Sequence, residues 1–299
     1  MLYQSIRIQI AIIAKLINNT KFKIDKGDYL LDTHAHILWN LDDGSKDLDM
    51  SVKMLQIAAG SGTKAIFATP HVIEKFTKPS WAKIKERTQL LQQLAREKQI
   101  DITLYPGAEV QMNWELLPEL GAGGAYCLNG GRYMLVELPA SELPAYADEF
   151  WYELELKGIT PVLAHPERYR QLHENKDLLL LWRRRGMLMQ CNSGSFTGMF
   201  GKSVCENAKA LLANGLVDLL GSDGHRSEGR NTDMSQAVAV IRQLVGEEVL
   251  RQLTETNPQA ILKNQEIELK QPKVFLEDKP KSFCCLLYTS PSPRDRSLS

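Results

Sequence analysis

The chain holds six histidines, and five of them fall where an apolar, strand-like run ends. His34 and His36 close the first such run in DTHAH, and His71 follows the second in ATPH. His165 follows the fifth in LAHPERY, and His225 follows the seventh in GSDGH. Only His173 lies elsewhere, in a polar helical stretch. Carboxylates share the same ends: Asp42 and Asp43 in LDDG, Glu109 in GAEV, Glu137 in VELP and Asp223 in GSDGH. Neutral imidazole nitrogens and carboxylate oxygens suit Zn, Mn and Fe. Side chains alternate on an extended chain, so the rings of His34 and His36 point to one face and can share an ion. About eight such donors exceed what one ion needs, which makes two or three divalent ions the natural count. A carboxylate such as Glu109 has two oxygens with which to bridge them. Taken singly, each residue has a plainer reading. A lone histidine at a strand end is usually a hydrogen-bonded structural residue. Asp42-Asp43-Gly44 alone is a turn, Glu109 a neighbour of a helix N-terminus, and Glu137 a solvated strand-end charge. The metal reading rests on the interleaved set.

Clustered metal ions can polarise a phosphoryl oxygen and acidify water. Arg168 in HPERY and Arg230, five residues after His225, lie close in sequence to donors, and a guanidinium fork matches phosphate oxygens bidentately. Arg183–Arg185 reads instead as a charge run on a solvated helix face. Other phosphatase chemistry fits poorly. Cysteine-dependent phosphatases use Cys-x5-Arg, whereas only four residues separate Cys127 from Arg132, and neither Cys191 nor Cys205 has an Arg in place. There is no GxSxG elbow, and neither GxGxxG nor a P-loop occurs.

Seven short apolar runs must position these groups: Tyr29–His34, Ala65–Thr69, Ile102–Pro106, Tyr133–Leu138, Pro161–Ala164, Met187–Asn192 and Val217–Gly221. Helical patterns fill the gaps at Leu48–Ala59, Trp81–Lys98, Pro144–Lys157, Lys176–Arg185, Ser203–Ala213 and Met234–Val245. Gly60, Gly158, Gly186 and Gly215 sit where a left-handed cap is wanted. Ala125–Leu128 reads as a further strand, joined to Tyr133–Leu138 through Asn129-Gly130-Gly131 as a hairpin. Strand–helix alternation predicts a parallel α/β sheet, closed as a barrel or open. In a barrel, five histidines at strand C-terminal ends would share the catalytic rim.

Composition bounds the partners. Among 299 residues, 36 Lys+Arg balance 36 Asp+Glu, which gives no global attraction for nucleic acid or an anionic membrane. The odd count of 5 Cys without a CxxC pair argues against a disulfide scaffold and for a reducing, cytoplasmic setting. No apolar run is long enough to span a membrane. Ile8–Ile17, broken by Lys15, reads as a leader helix within an extension covering residues 1–27. Residues 263–299 read as a tail, and from about Ser282 the run SFCCLLYTSPSPRDRSLS has no packing period and reads as non-native.

As a series, DTHAHILWNLDDGSKD, ATPH, GAE, VELP, LAHPERY, CNSGSFTGMFGKSV and LVDLLGSDGH resemble the PHP (polymerase and histidinol phosphatase) superfamily. Within it, the chain over about residues 28–262 is most similar to the protein-tyrosine phosphatases of bacterial capsule and exopolysaccharide loci. That resemblance implies a distorted (β/α)7 TIM-like barrel. It also implies two or three divalent ions, manganese first, with iron and zinc as alternatives. The implied metal ligands are His34, His36, Asp43, His71, Glu109, His165, Asp223 and His225. Asp43 is preferred to Asp42 because the family ligand immediately precedes the Gly. Arg168 and Arg230 match the phosphate-contacting arginines, although Arg226 shares the second loop. The implied reaction is attack of a metal-activated hydroxide on phosphotyrosine. The implied partner is the tyrosine-rich tail of a membrane-bound tyrosine kinase. The SDGH motif and the NTDMSQ segment depart from relatives and bear on loop shape. Competing readings are a small-molecule phosphoesterase of the same fold (histidinol-phosphate-type), a metal amidohydrolase, and a non-catalytic binding module. The oligomeric state is open.

Overall fold

The computed structural model describes residues 29–140 and 142–269. The expected leader helix and the tail from Ser282 lie outside the described residues. The strands are β1 (Leu30–Ala35), β2 (Thr63–Ala68), β3 (His71–Val72), β4 (Thr103–Pro106), β5 (Glu109–Gln111), β6 (Tyr133–Glu137), β7 (Thr160–Ala164), β8 (Leu188–Asn192) and β9 (Leu219–Gly221). One sheet runs β1-β2-β4 and the other β3-β5-β6-β7-β8-β9, with every pair parallel. These are seven staves, because β3 continues β2 and β5 continues β4. The break in β2 falls at Pro70, which has no N–H for the ladder. The pairing carries across the break through Gly107 N to Ala68 O (3.0 Å) and Glu109 N to Pro70 O (3.1 Å). The ring closes between β1 and β9, where Asp223 N donates to His34 O (2.7 Å) and His36 N to Gly224 O (2.9 Å). The seven expected strands are therefore the seven staves of a distorted, closed barrel.

Alternation divides the core in two. Leu31, Phe67, Leu135, Val162, Leu188 and Leu219 fill the barrel, while Ile66, Met134, Val136, Leu163, Met189 and Leu220 meet the outer helices. Those helices are α1 (Leu48–Gly60), α2 (Trp81–Glu97), α3 (Ala147–Leu156), α4 (Arg170–Glu174), α5 (Lys176–Arg184), α6 (Ser193–Phe196), α7 (Lys202–Ala213), α8 (Ser235–Val245), α9 (Glu247–Arg251) and α10 (Asn257–Leu262). Their starts follow capping chemistry: Asp47 accepts from Met50 N at 2.8 Å and Ser80 from Lys83 N at 3.2 Å. On α2 the buried stripe is Ile84, Thr88, Leu91 and Ala95, the helical spacing that faces the sheet.

Three expectations are corrected. Ala125–Leu128 is no strand: it forms turns, with Tyr126 at φ 64 and Asn129 at φ 54, so an extended ladder is broken on both sides of Leu128. A Cβ on Gly124 would stand 2.0 Å from Gly130 O, a close chain approach that a two-stranded hairpin would not contain. Leu128 instead plugs the barrel interior. Gly60 ends α1 within the helix, and Gly62 (φ 93) makes the left-handed turn; Gly158, Gly186 and Gly215 do so at φ 73, 95 and 71. The arginine run on α5 is not wholly a solvated face. Arg183 is buried and pairs with both oxygens of Asp218, which also accepts from Met189 N at 2.8 Å. Arg183→Met is expected to leave that carboxylate buried without its cation and to cost about 3–5 kcal/mol. Urea unfolding with an unchanged m-value and a lower midpoint checks this, and an unchanged midpoint contradicts it.

Candidate active site

The C-terminal ends of the staves bring the histidines to one mouth. The strand β1 has register shifts at Leu30/Leu31 and between Asp32 and Ala35. The irregularity changes the parity of the strand, so Leu31 faces the interior low in the barrel and His34 and His36 both face it at the mouth. Their Nε2 atoms lie 3.0 Å apart. Two non-ligand groups aim them. Gln190 Oε1 lies 3.0 Å from His34 Nδ1, and Asp42 Oδ2 lies 2.7 Å from His36 Nδ1. An oxygen acceptor thus holds Nδ1 of each imidazole and turns Nε2 to the centre of the mouth, the arrangement that orients metal-binding histidines. His225 repeats it, with Nδ1 at 2.9 Å from Asp223 O and Nε2 at 3.4 Å from Asp43 Oδ1.

The carboxylates fill the centre. Glu109 Oε2 stands 3.1 Å from His34 Nε2, 3.2 Å from His36 Nε2 and 3.1 Å from His71 Nδ1. Its Oε1 is 2.8 Å from His165 Nε2. Asp223 Oδ1 is 3.4 Å from both His34 Nε2 and His36 Nε2. Glu109 Oε2 and Asp223 Oδ1 are nevertheless buried and accept no hydrogen bond, a costly arrangement unless a cation shares them. Potential donor atoms gather within 4.8 Å of one another in three sets: His36, Asp43, His71 and His225; His34, His36, Glu109 and Asp223; and His71, Glu109 and Glu137. These residues fit a cluster of divalent ions by donor chemistry and by the unsatisfied oxygens at its centre.

The field at the mouth favours positive charge. Burial would raise the carboxyls of Glu109 and Asp223, yet the facing imidazoles hold both well below the ordinary carboxylate range. Burial would lower His34, yet Glu109 and Asp223 outweigh it and push its imidazole up. His225 is pushed down to about 4, first by burial and then by His36, so it is neutral near pH 7 with its lone pair available. Burial pushes the Cys127 thiol up to about 12, which suits a packed side chain and not a thiolate nucleophile.

Two donors at the mouth carry backbone strain. His165 has φ 37 and Asp223 has φ 53, left-handed values that cost a non-glycine residue about 1–3 kcal/mol. Close approach matters too: a Cβ on Gly221 would stand 2.5 Å from His34 Cβ, and one on Gly44 2.4 Å from His36 O. The loop after β7 is braced by Glu167, which is buried and accepts from Asn192 N (2.9 Å) and Ser195 Oγ (2.6 Å).

All ten residues read from the sequence meet here. His165 joins through Glu109 and lies in none of the three tight donor sets. Arg168 Nη1 lies 3.2 Å from Asp223 Oδ2, and Arg230 Nη2 pairs with the same oxygen. Arg226 turns elsewhere, to the backbone oxygens of Asp43 and Gly44, so Arg230 is the arginine of that loop that faces the mouth. Two of the rim carboxylates read from the sequence but left out of the implied ligand set, Glu137 and Asp42, take part as well, and Gln190 and Asn192 join them without having been singled out. Glu137 approaches His71 Nδ1 at 3.2 Å, and Asp42 holds His36 and the His71 N–H (2.8 Å). Gln190 holds His34, and Asn192 Nδ2 donates to Asp223 Oδ2 at 2.6 Å. Two polar residues spaced i, i+2 on the apolar run MQCN were the available signal for the last pair.

Comparison with known proteins gives the family. Residues 30–263 match the family described as capsular polysaccharide synthesis, CpsB/CapC. The tyrosine-protein phosphatase YwqE of Bacillus subtilis is 34% identical over 244 residues, covering 82% of this chain and 96% of its own. The tyrosine-protein phosphatase CpsB of Streptococcus pneumoniae is 28% identical, covering 79% and 99%. A crystal structure from work on these two proteins, described as unique metal-dependent tyrosine phosphatases, superposes with a TM-score of 0.77 at 34% identity, covering 82% of this chain and 98% of that one. The chain belongs to the CpsB/CapC family of capsular polysaccharide synthesis.

Proposed function

We propose that this protein is a metal-dependent phosphatase that hydrolyses phosphotyrosine on proteins. The observation that carries the reading is the pair of buried, unsatisfied oxygens of Glu109 and Asp223, set among imidazoles and beside two arginines. The ligands would be His34, His36, Asp43, His71, Glu109, His165, Asp223 and His225, with Glu137 as a further donor. The ions are two or three, with manganese favoured and iron and zinc also suited to these donors. The chemistry that divalent ions supply when bound there is Lewis acidity toward a phosphoryl oxygen and acidification of water.

The chain's own side chains supply the rest. Arg168 and Arg230 present N–H forks to phosphoryl oxygens and stabilise the charge that develops on them. Asp42, Gln190 and Asn192 fix the rings and the carboxylate that surround the reacting group. A phenolate, with pKa about 10, departs more readily than an alkoxide, so the leaving group needs less help from an acid. Access suits a protein substrate: Asp43 is exposed at the mouth, beside an open cleft of about 430 Å³ lined by Asn40, Leu41, Phe76 and Thr77. Among the described residues no helix is long and apolar enough to cross a membrane. By family analogy the target is the tyrosine-rich tail of a membrane-bound tyrosine kinase controlling polysaccharide export, met on its cytoplasmic side.

Turnover of p-nitrophenyl phosphate before and after chelation tests the reading. Activity should vanish with the metal and return on adding Mn2+; full activity in thoroughly chelated protein contradicts it. A panel of phosphotyrosine peptides against histidinol phosphate and nucleotide monophosphates separates protein from metabolite substrates.

A further inference from the structure

The two arginines at the mouth meet on one aromatic ring. Arg168 Cζ lies 4.9 Å from the centroid of the Phe200 ring, and Arg230 Cζ lies 5.6 Å from it. Topology makes Phe200 the element between them. Arg168 follows β7, Phe200 lies in the loop between α6 and α7 that follows β8, and Arg230 follows β9. Both guanidiniums are partly exposed, at 33% and 28% of the side chain, so nothing in their burial alone fixes them. A long arginine side chain loses about 1.5–2 kcal/mol of rotamer freedom when it is held in one place. Attraction between a guanidinium and an aromatic face offsets that cost. Stacking occupies the face of the guanidinium and keeps its N–H edge for hydrogen bonds; one N–H group of each arginine pairs with Asp223 Oδ2, and the rest of the fork is complementary to phosphate.

The ring is itself held. Met199 N donates to Gly194 O at 3.0 Å, closing the loop on α6. A Cβ on Gly194 would come within 3.2 Å of Phe200 Cε2 and 2.9 Å of Met199 Sδ, so the loop packs directly onto the glycine backbone. Phe200 has no group that could bind a metal or move a proton.

We propose that Phe200 is a positioning residue, an aromatic platform that presents Arg168 and Arg230 edge-on to the phosphoryl group. This rests on the phosphatase reading above. The test uses the full manganese-loaded chain, with p-nitrophenyl phosphate as substrate and inorganic phosphate as competitive inhibitor. Phe200→Leu and Phe200→Met, made in parallel so that a folding defect in one leaves the other, should each raise the phosphate inhibition constant about five- to tenfold. Metal content and melting temperature should stay at the wild-type values. Phe200→Tyr, which keeps the ring, should recover most of the loss. In Arg168→Ala and Arg230→Ala chains the penalty of Phe200→Leu should shrink, because one of its two partners is already gone. Wild-type inhibition constants in both the Leu and Met variants, a Tyr variant as impaired as Leu, or an undiminished penalty in both arginine backgrounds would overturn the assignment. Wild-type protein that neither turns over p-nitrophenyl phosphate nor binds phosphate would instead overturn the phosphatase reading itself.

Discussion

Alanine at both His34 and His36 is expected to lower kcat/KM for p-nitrophenyl phosphate by at least about a thousandfold, ~4 kcal/mol of transition-state stabilisation. The two Nε2 atoms lie 3.0 Å apart, and each stands within 3.4 Å of both Glu109 Oε2 and Asp223 Oδ1. Their loss would leave those carboxylates facing each other with fewer neutral donors, and metal occupancy should fall in parallel with activity. Single substitutions should be nearly as damaging as the pair, because residues that act as a unit are not additive. Turnover within tenfold of wild type, in a double variant that retains its circular dichroism spectrum, would remove these histidines from the chemistry.

The second large effect is expected at the arginines. Arg168→Ala and Arg230→Ala should each cost about a hundredfold in kcat/KM, the usual scale for removing one charged donor from a developing oxyanion. Lysine should recover little, since a point charge cannot reproduce a bidentate fork. Metal content separates two roles. Both arginines contact Asp223 Oδ2, but Asn192 contacts it as well, so Asp223 keeps a partner in either single variant. Activity lost at constant metal content marks a contact to substrate. Metal and activity lost together would mean that the arginines serve Asp223, and the phosphate role would fall.

Much of this site was legible because metal ligands must be particular elements at particular places. Histidine is scarce in this chain, and finding it after the first, second, fifth and seventh apolar runs left few explanations but convergence at one end of a parallel sheet. The count of staves followed from the same runs, even though Pro70 divides one stave and the adjoining stave divides beside Gly107. Hidden from the sequence were relations that depend on what lies across space. Glu137 and Asp42 read equally well as solvated charge and turn residue, and only proximity to His71 and His36 gives them a task. Gln190 had no visible partner until β8 was laid beside β9 and β1. Arg183 looked like part of a solvated run because its partner, Asp218, is 35 residues away. The expected hairpin at Ala125–Leu128 failed for a local reason: the glycines around it serve a close chain crossing and left-handed turns, where a hairpin connection through Asn129-Gly130-Gly131 would have used the same residues differently.

Elemental analysis of protein purified without added metal tests the central claim most directly, because donor chemistry and geometry converge on a cation cluster. Two or three divalent ions per chain are expected, removable by chelation with loss of phosphatase activity and restored together with it. Fully active protein carrying less than one ion per chain would contradict it.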